Sequence, residues 1–169
     1  MSSSTSNNPE IIIRKGNEND LKEMQLLFTH TIDVICRKDY DDMQRKAWSS
    51  GTENEERWLS VLKDQYVLVA ILNDQLVGFC TLDQGNYIDL LFVHHNHQHE
   101  GIASRLYTHI EQKALEQNEL YLTADVSKTA RPFFKKKGFQ IIKEQIVYVK
   151  GISLTNYKMT KKLTSSLSE

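Results

Sequence analysis

Three apolar runs between residues 66 and 93 constrain the fold more than any other feature of this sequence. They are YVLVAIL (66–72), LVGFCTL (76–82) and YIDLLFV (87–93). Runs of this length, rich in β-branched and aromatic residues and bounded by turn residues, are typical of buried strands. Asn73 and Asp74 form a short polar link between the first two runs, which favours a β-hairpin. The centre of the chain is therefore predicted to be a hairpin followed by a third strand.

Helical periodicity appears on both sides of these strands. Residues 21–35 carry apolar side chains at helical spacing after a short strand at 11–13, with Asn19 or Asp20 as the cap. A second helix is predicted over 53–63. After Gly101, apolar residues spaced by four predict an amphipathic helix. The remaining predicted elements are a strand at 120–126, a short helix at 129–137, and two strands at 139–148 and 152–159.

This order of elements predicts the fold class. Helices lie between and after strands without a strict strand–helix alternation, which indicates an α/β (α+β) fold: a central mixed β-sheet flanked by helices on both faces. A chain of 169 residues is long enough to bury a core without disulfides or metals. We expect a single domain over 10–163 and solvated tails at 1–9 and 164–169, since the tails offer little to bury.

Charge and cysteine content narrow the class of function. The formal net charge is −1, which provides no field for nucleic acid or anionic lipid, so we expect neither as a partner. Apolar runs of six or seven residues are too short for a membrane helix. The two cysteines, Cys36 and Cys80, lie in apolar surroundings outside any CxxC pair and are predicted to be core residues. We therefore expect a cytoplasmic protein.

The segment LLFVHHNHQHEGIASRL (90–106) carries the clearest chemical signal. A buried strand ends in a polar loop that leads directly into a helix. The first N–H groups of a helix have no intrahelical partner, and the helix dipole adds partial positive charge, so such a junction binds phosphate well. The two common phosphate motifs, GxxxxGK[ST] and GxGxxG, are absent, which argues against nucleoside triphosphate or NAD.

Within this segment, Gln98-His99-Glu100-Gly101-Ile102-Ala103 resembles the coenzyme A pyrophosphate loop of the GNAT superfamily of N-acetyltransferases, [QR]-x-x-G-x-[GA]. Further along, Ala130 to Phe139 (ARPFFKKKGF) is similar to the family's A-x-x-F-Y-x-x-x-G-F. The resemblance spans about residues 11–163 and includes the order of elements. The stretch around Tyr40, Gln44 and Trp48 resembles the YafP-like bacterial branch of that superfamily.

The resemblance implies a site for acetyl-coenzyme A. Backbone groups of Phe92 and Val93 would hold the pantetheine arm, and Ser127 would contact the coenzyme. Phe134 departs from the family, which commonly has Tyr there to protonate the leaving thiolate. The pyrophosphate would lie against the amides of Gln98, His99, Glu100, Gly101, Ile102, Ala103 and Ser104. The implied activity is transfer of an acetyl group to a primary amine of a small molecule or peptide, by a monomer or homodimer.

The resemblance also places the acceptor. Tyr87 and Asp89 lie two apart on one strand and so share a face, which in the family opens toward the acceptor cleft. Asp89 is the candidate base for the amine's proton and Tyr87 a candidate catalytic or lining residue. A purely structural Asp89, paired with a cation or a backbone amide, is the competing interpretation. Tyr40 and Trp48 are candidate acceptor-binding residues, with core packing as their alternative.

Two other functions stay open on the sequence alone. Without a Tyr at position 134, the protein could bind acetyl-coenzyme A as a regulatory module without transferring its acetyl group. His94, His95, His97 and His99 crowd one loop, and imidazole is a common zinc ligand. No Cys or acidic cluster accompanies that loop, so no metal is expected.

Overall fold

The structure, a computed structural model, describes residues 10–164. The predicted tail at 1–9, and residues 165–169 of the predicted C-terminal tail, lie outside the described residues. The elements are β1 (Ile12–Lys15), α1 (Leu21–Ile35), α2 (Asp42–Ser49), α3 (Glu55–Asp64), β2 (Tyr66–Leu72), β3 (Gln75–Asp83), β4 (Tyr87–Val93), α4 (Ile102–Glu116), β5 (Tyr121–Ser127), α5 (Arg131–Lys136), β6 (Gln140–Val149) and β7 (Ile152–Lys162).

The predicted order is confirmed, with one helix added. Helix α2 was missed because its eight residues hold too few apolar side chains to show a period. Its signal is a capping box: the Asp41 carboxylate accepts from the Gln44 N–H at 2.8 Å, and the Gln44 side chain accepts from the Asp41 N–H at 2.9 Å. An Asp followed three residues later by Gln was visible in the sequence.

All seven strands form one sheet in the order β1-β2-β3-β4-β5-β7-β6. Only β4 and β5 run parallel, and every other neighbouring pair is antiparallel. Phe28 of α1 and Trp58 of α3 pack on one face of the sheet. Leu106 of α4 and Phe134 of α5 pack on the other. The predicted mixed sheet with helices on both faces is confirmed. Among the described residues, no helix is both long and apolar enough to cross a membrane.

The parallel pair β4–β5 is short, so the two strands separate after only two paired residues. Strands β4 and β5 are joined only at Tyr87–Thr123 and Ile88–Ala124. Beyond these pairs, β4 continues along β3 as far as Val93, and β5 continues along β7 as far as Ser127. The space between residues 89–93 and residues 125–127 is called the β4–β5 gap below. Asp89 and Asp125 are the first residues on its two sides.

A β-bulge lies on β4 at the start of this gap. Leu82 pairs with Ile88, and its neighbour Thr81 pairs with Leu90, so Asp89 is the extra residue. The alternation of side chains shifts by one residue there: Ile88 and Leu91 pack toward α4, while Leu90 packs toward α1 and α3. Tyr87 and Asp89 still share a face, as predicted, because the shift occurs after Asp89.

The chain enters α1 through an ion pair between the buried Asp20 and the exposed Arg14. Asp20 is 5% exposed and accepts two hydrogen bonds of 2.9 Å from the Arg14 guanidinium and one of 2.9 Å from the Asn17 N–H. The hydrogen bond from Arg14 is the main cause that lowers the pKa of Asp20 below its ordinary value. Asp20 is the N-cap residue of α1, as predicted, but its side chain makes no capping hydrogen bond to that helix. The Asn17 side chain caps the preceding 3-10 turn (Glu18–Asp20) by accepting from the Asn19 N–H at 2.9 Å.

We predict that Asp20→Asn lowers the free energy of unfolding at pH 7 by about 1–3 kcal/mol, because it removes hydrogen bonds to a buried charged group. A lowered pKa means that this contribution is full above the unfolded value, about 4, and is lost as the pH falls through the folded value. The difference between wild type and variant should therefore shrink from pH 7 toward pH 3 in urea titrations. Asp74→Asn, in the exposed β2–β3 turn, is the control. An equal difference at both pH values would contradict this account.

Candidate active site

One cavity of about 910 Å³ runs along the β4–β5 gap and reaches the start of α4. It brings together residues predicted from separate parts of the sequence. Tyr87 and Glu100 are the two predicted site residues that do not line it. Those that do are Tyr40, Trp48, Asp89, Phe92, Val93, Gln98, His99, Gly101, Ile102, Ala103, Ser104, Ser127 and Phe134.

The first turn of α4 presents free N–H groups to this cavity. Gly101 precedes the helix in the left-handed conformation (φ 82°), and no side chain caps the helix. The first intrahelical bond runs from the Arg105 N–H to the Gly101 carbonyl, so the N–H groups of residues 102–104 have no partner within the helix. A Cβ placed on Gly101 would meet nothing within 4 Å. Open space beside uncapped N–H groups is suited to an anion.

Two polar side chains of the preceding loop hold the loop rather than face the cavity with free groups. The Gln98 amide donates to the Val93 carbonyl at 2.7 Å and to the His94 carbonyl at 3.3 Å. The Glu100 carboxylate lies 3.0 Å from the His97 ring nitrogen. Gln98 therefore ties the end of β4 to the start of α4 and sets the shape of the loop.

The backbone N–H and C=O groups of β4 are directed alternately toward β3 and toward the gap. The His94 N–H donates to the Val77 carbonyl, so Val93 forms a non-hydrogen-bonded pair with Gly78. Its own N–H and C=O, and by alternation those of Leu91, are directed away from β3 toward the gap. The backbone of Phe92 is directed at β3 instead. Of the two residues whose backbone was predicted to hold the pantetheine arm, Val93 faces the gap and Phe92 does not, and Leu91 is the other gap-facing residue. The Val93 carbonyl already accepts from Thr31 and Gln98.

The side chains of three residues predicted at the coenzyme site are engaged in packing or turns. The Phe92 ring stacks on Phe79 with centroids 5.7 Å apart. Phe134 is 4% exposed and contacts Phe139 edge-on, at 5.0 Å between centroids. The Ser127 hydroxyl accepts from the Ala130 N–H at 3.1 Å, which shapes the turn into α5.

The carboxylate of Asp89 is held by two side chains from the α3 region. Arg57 donates to both of its oxygens, at 3.0 and 3.2 Å, and Gln65 donates to Oδ2 at 2.8 Å. The hydrogen bond to Asp89 raises the pKa of Arg57. An ionised carboxylate has about four lone-pair sites, so one site, on Oδ1, stays open. Sequence analysis missed Arg57, in the first turn of α3, and Gln65, between α3 and β2, because neither belongs to a motif.

Tyr87 donates a hydrogen bond to the carboxylate of Asp125, a residue that sequence analysis also missed. Its hydroxyl donates to Asp125 Oδ2 at 2.9 Å, and the Gln145 amide donates to Oδ1 at 2.7 Å. Burial, followed by the hydrogen bond with Asp125, raises the pKa of Tyr87. Asp125 lines the cavity. Its signal in the sequence was the same as that of Asp89: one carboxylate within an apolar strand.

Tyr40 and Trp48 form part of the cavity wall. The Tyr40 hydroxyl donates to the Thr155 carbonyl at 2.6 Å and accepts from the Lys128 N–H at 2.9 Å. Tyr40 is 3% exposed, and burial raises its pKa to about 12. Its ring contacts the half-buried Trp48 at 5.4 Å. Through its hydroxyl, Tyr40 therefore connects the segment between α1 and α2 to β7 and to the residue that follows β5. Trp48 extends this wall.

The histidine loop and the cysteines show no ligand arrangement within residues 10–164. His94 Nδ1 accepts from the Asn96 N–H at 3.0 Å, and His94 stacks on His95 at 4.3 Å. No group of three or more His, Cys, Asp or Glu side chains in this range is placed to hold a metal ion. Cys36 and Cys80 are buried, as predicted, and burial raises the pKa of both thiols.

Comparisons with known proteins agree with this architecture. Residues 36–161 match the family model of the acetyltransferase (GNAT) domain. The chain is 36% identical over 152 residues to the uncharacterized N-acetyltransferase YafP of Escherichia coli (strain K12), covering 90% of this chain and 96% of that protein. This confirms the predicted resemblance to the YafP-like branch.

Solved structures give the same result. A GCN5-related N-acetyltransferase from Rhodopseudomonas palustris superimposes with a TM-score of 0.87 at 30% identity, covering 92% of this chain and 96% of that one. The PaiA N-acetyltransferase of Thermoplasma acidophilum shares the fold with a TM-score of 0.75 at 19% identity, over 91% of this chain and 99% of that one. With its splayed strands and uncapped helix start, the chain belongs to the GNAT family of N-acetyltransferases.

Proposed function

We propose that this acetyltransferase binds acetyl-coenzyme A along the β4–β5 gap, with the pyrophosphate at the start of α4, and transfers the acetyl group to a primary amine. The observation that carries the proposal is the uncapped first turn of α4 opening into the cavity that follows the gap. The related structures from Thermoplasma acidophilum and Salmonella typhimurium are described as complexes with coenzyme A and acetyl-coenzyme A.

The donor would be held mainly by backbone groups. In this proposal the N–H groups of residues 101–104 bind the pyrophosphate, since phosphate oxygens are strong acceptors. The gap-facing N–H groups of Leu91 and Val93 bind the pantetheine arm in the manner of an added strand. His99 and Ser127 line the same path. Gln98 acts by holding the loop in shape.

The chemistry needs a neutral amine, a polarised carbonyl and an acceptor for the amine's proton. When bound, acetyl-coenzyme A supplies the thioester carbonyl. The Asp89 carboxylate would take the amine's proton through its one open lone-pair site, directly or through water. Phe134 lies where the family commonly has Tyr and has no proton to give, so the coenzyme thiolate would leave without a side-chain acid from this position.

The remaining assignments are also part of this proposal. Residues 10–163 would act as a single acetyltransferase domain in the cytoplasm, as a monomer or homodimer. The acceptor would be a small-molecule or peptide amine that enters past the wall formed by Tyr40 and Trp48. No metal ion and no nucleic acid would take part.

The competing function is a regulatory module that binds acetyl-coenzyme A without transfer, and Phe134 is the observation that favours it. Turnover of acetyl-coenzyme A with a panel of amines separates the two functions. Acetylation of any panel amine establishes the enzyme. Tight binding without turnover across the panel favours the module.

The first prediction concerns the pyrophosphate site. Gly101→Glu should weaken acetyl-coenzyme A binding by at least about tenfold, because it places a carboxylate where the phosphates would lie and strains a left-handed residue. Calorimetry measures the affinity. Gly151→Glu is a matched control: Gly151 also has a positive φ (78°) and also has nothing within 4 Å of a built Cβ, but it lies in the β6–β7 turn. Equal affinities in the two variants would refute the placement.

The second prediction concerns Phe134. Phe134→Tyr should change turnover by less than about tenfold, because this chain must already release the thiolate by another route. Phe139→Tyr adds the same hydroxyl to the same core cluster at a position that does not line the cavity, and it controls for the effect on packing. Steady-state kinetics with acetyl-coenzyme A compares the two. A gain of about 10²-fold or more in Phe134→Tyr alone would mean that an acid had been restored, contrary to this account.

The third prediction concerns Asp89. Asp89→Asn keeps the shape of the side chain but removes its basicity, so turnover should fall about 10²- to 10⁴-fold with donor affinity retained. The pH profile of turnover should lose its acidic limb. A folded, donor-binding variant with near-normal turnover and an unchanged profile would leave Asp89 as the structural partner of Arg57.

A further inference from the structure

We propose that Asp125, together with Asn156, binds the acceptor's amine as an ammonium group, and that the acceptor is a primary ammonium carried on an apolar group without an acidic substituent. This inference rests on the proposed amine acetylation and assigns the acceptor end of the same cavity. Neither residue belongs to the sites predicted from the sequence.

Asp125 is the charged side chain at the start of the β4–β5 gap that has no ion-pair partner among the described residues. Among the described residues, four side chains with a permanent charge line the cavity: Arg57, Asp89, Asp125 and Lys136. Arg57 and Asp89 form a bidentate pair and neutralise each other. Lys136 is an exposed side chain on the last turn of α5. The unpaired charge at the start of the β4–β5 gap is therefore the negative charge of Asp125.

The contacts of Asp125 leave room for a cation. Tyr87 and Gln145 donate one neutral hydrogen bond to each carboxylate oxygen, which fixes the orientation of the group without cancelling its charge. Lys158 faces Asp125 across the β5–β7 pair, but within residues 10–164 no basic nitrogen lies within the 4.0 Å that defines a salt bridge. Each oxygen keeps an open lone-pair site. Asp125 is an exposed side chain at the edge of the cavity, where an ammonium group can reach it and add a charge-assisted hydrogen bond.

A second acceptor lies beside this carboxylate. Asn156 pairs with Ser127 on β5 and with Gln145 on β6, which puts its side chain diagonal to Asp125 on the same face of the sheet. Asn156 lines the cavity, and its Oδ1 is buried without a hydrogen-bond partner in the part of the chain that the structure describes. A buried carbonyl oxygen without a donor costs free energy. An ammonium group carries three donors and can serve Asp125 and Asn156 together.

The surrounding walls define the rest of the acceptor. Val147 and Val149 of β6, Leu154 of β7, and the Trp48 ring are apolar residues that line the cavity. Among the described residues, two permanently basic side chains line the cavity: Arg57, which is paired with Asp89, and Lys136 on the last turn of α5. An amine with an apolar substituent therefore fits this end, whereas an amino acid would place its carboxylate close to Asp125.

The test uses three ligands that differ in one group: phenethylamine, its neutral isostere 2-phenylethanol, and phenylalanine, which adds a carboxylate. Each is titrated by calorimetry into the protein saturated with coenzyme A, so that no turnover interferes. Phenethylamine should bind at least about tenfold more tightly than the other two. Asp125→Asn should lower the affinity for phenethylamine by at least about 30-fold and leave the affinities for 2-phenylethanol and coenzyme A unchanged. Asn156→Ala should lower the affinity for phenethylamine about tenfold. Asp74→Asn is the charge-matched control and should change nothing.

Steady-state kinetics separates this inference from the proposed function. In Asp125→Asn the KM for phenethylamine should rise more than kcat falls. If phenethylamine binds no better than 2-phenylethanol to the wild-type protein, or if Asp125→Asn leaves both its binding and its KM unchanged, the inference is overturned, whether or not amines are acetylated. If binding depends on Asp125 but no amine is acetylated, the proposed acetyl transfer to amines is refuted, while the inferred ammonium site is supported.

Discussion

Two residue pairs join β4 to β5, and the site depends on the fact that there are no more. If the parallel pairing continued to Val93, the sheet would close and the N–H groups of Leu91 and Val93 would bond to β5. Each strand is instead kept in place by its other neighbour, β3 or β7, along its whole length. The sheet can therefore hold an open gap at its centre without losing its continuity. The bulge at Asp89 marks the start of that gap.

The gap and the α4 helix form one surface because the connection between them is short and tied. Gln98 reaches back to the Val93 carbonyl, and the left-handed Gly101 turns the chain directly into the helix. A strand edge with free N–H groups thus leads to a helix end with free N–H groups. Such a surface recognises amides and phosphates through the backbone, which explains why its side chains serve mainly to pack and to shape the loop.

The two carboxylates at the start of the gap have different surroundings. Asp89 is surrounded by donors from Arg57 and Gln65, one of which carries a full positive charge. Asp125 receives only neutral donors from Tyr87 and Gln145. One negative charge is therefore compensated within the protein and the other faces the cavity uncompensated. In the proposed mechanism, proton transfer and ammonium binding therefore belong to different side chains, and the variants at the two positions measure them separately.

The sequence by itself determined the elements and the strand–loop–helix junction proposed to bind phosphate, because both are local. Hydrophobic periodicity identified eleven of the elements, and the loop from Gln98 to Ala103 was recognisable without knowledge of distant contacts. The tertiary structure decided which groups face the cavity. Because of the bulge and the strand register, the backbone of Leu91, and not that of Phe92, faces the gap. Contacts between residues 32 and 38 positions apart join Arg57 to Asp89 and Tyr87 to Asp125. Such pairs depend on strand order and packing, which no local pattern of residues specifies.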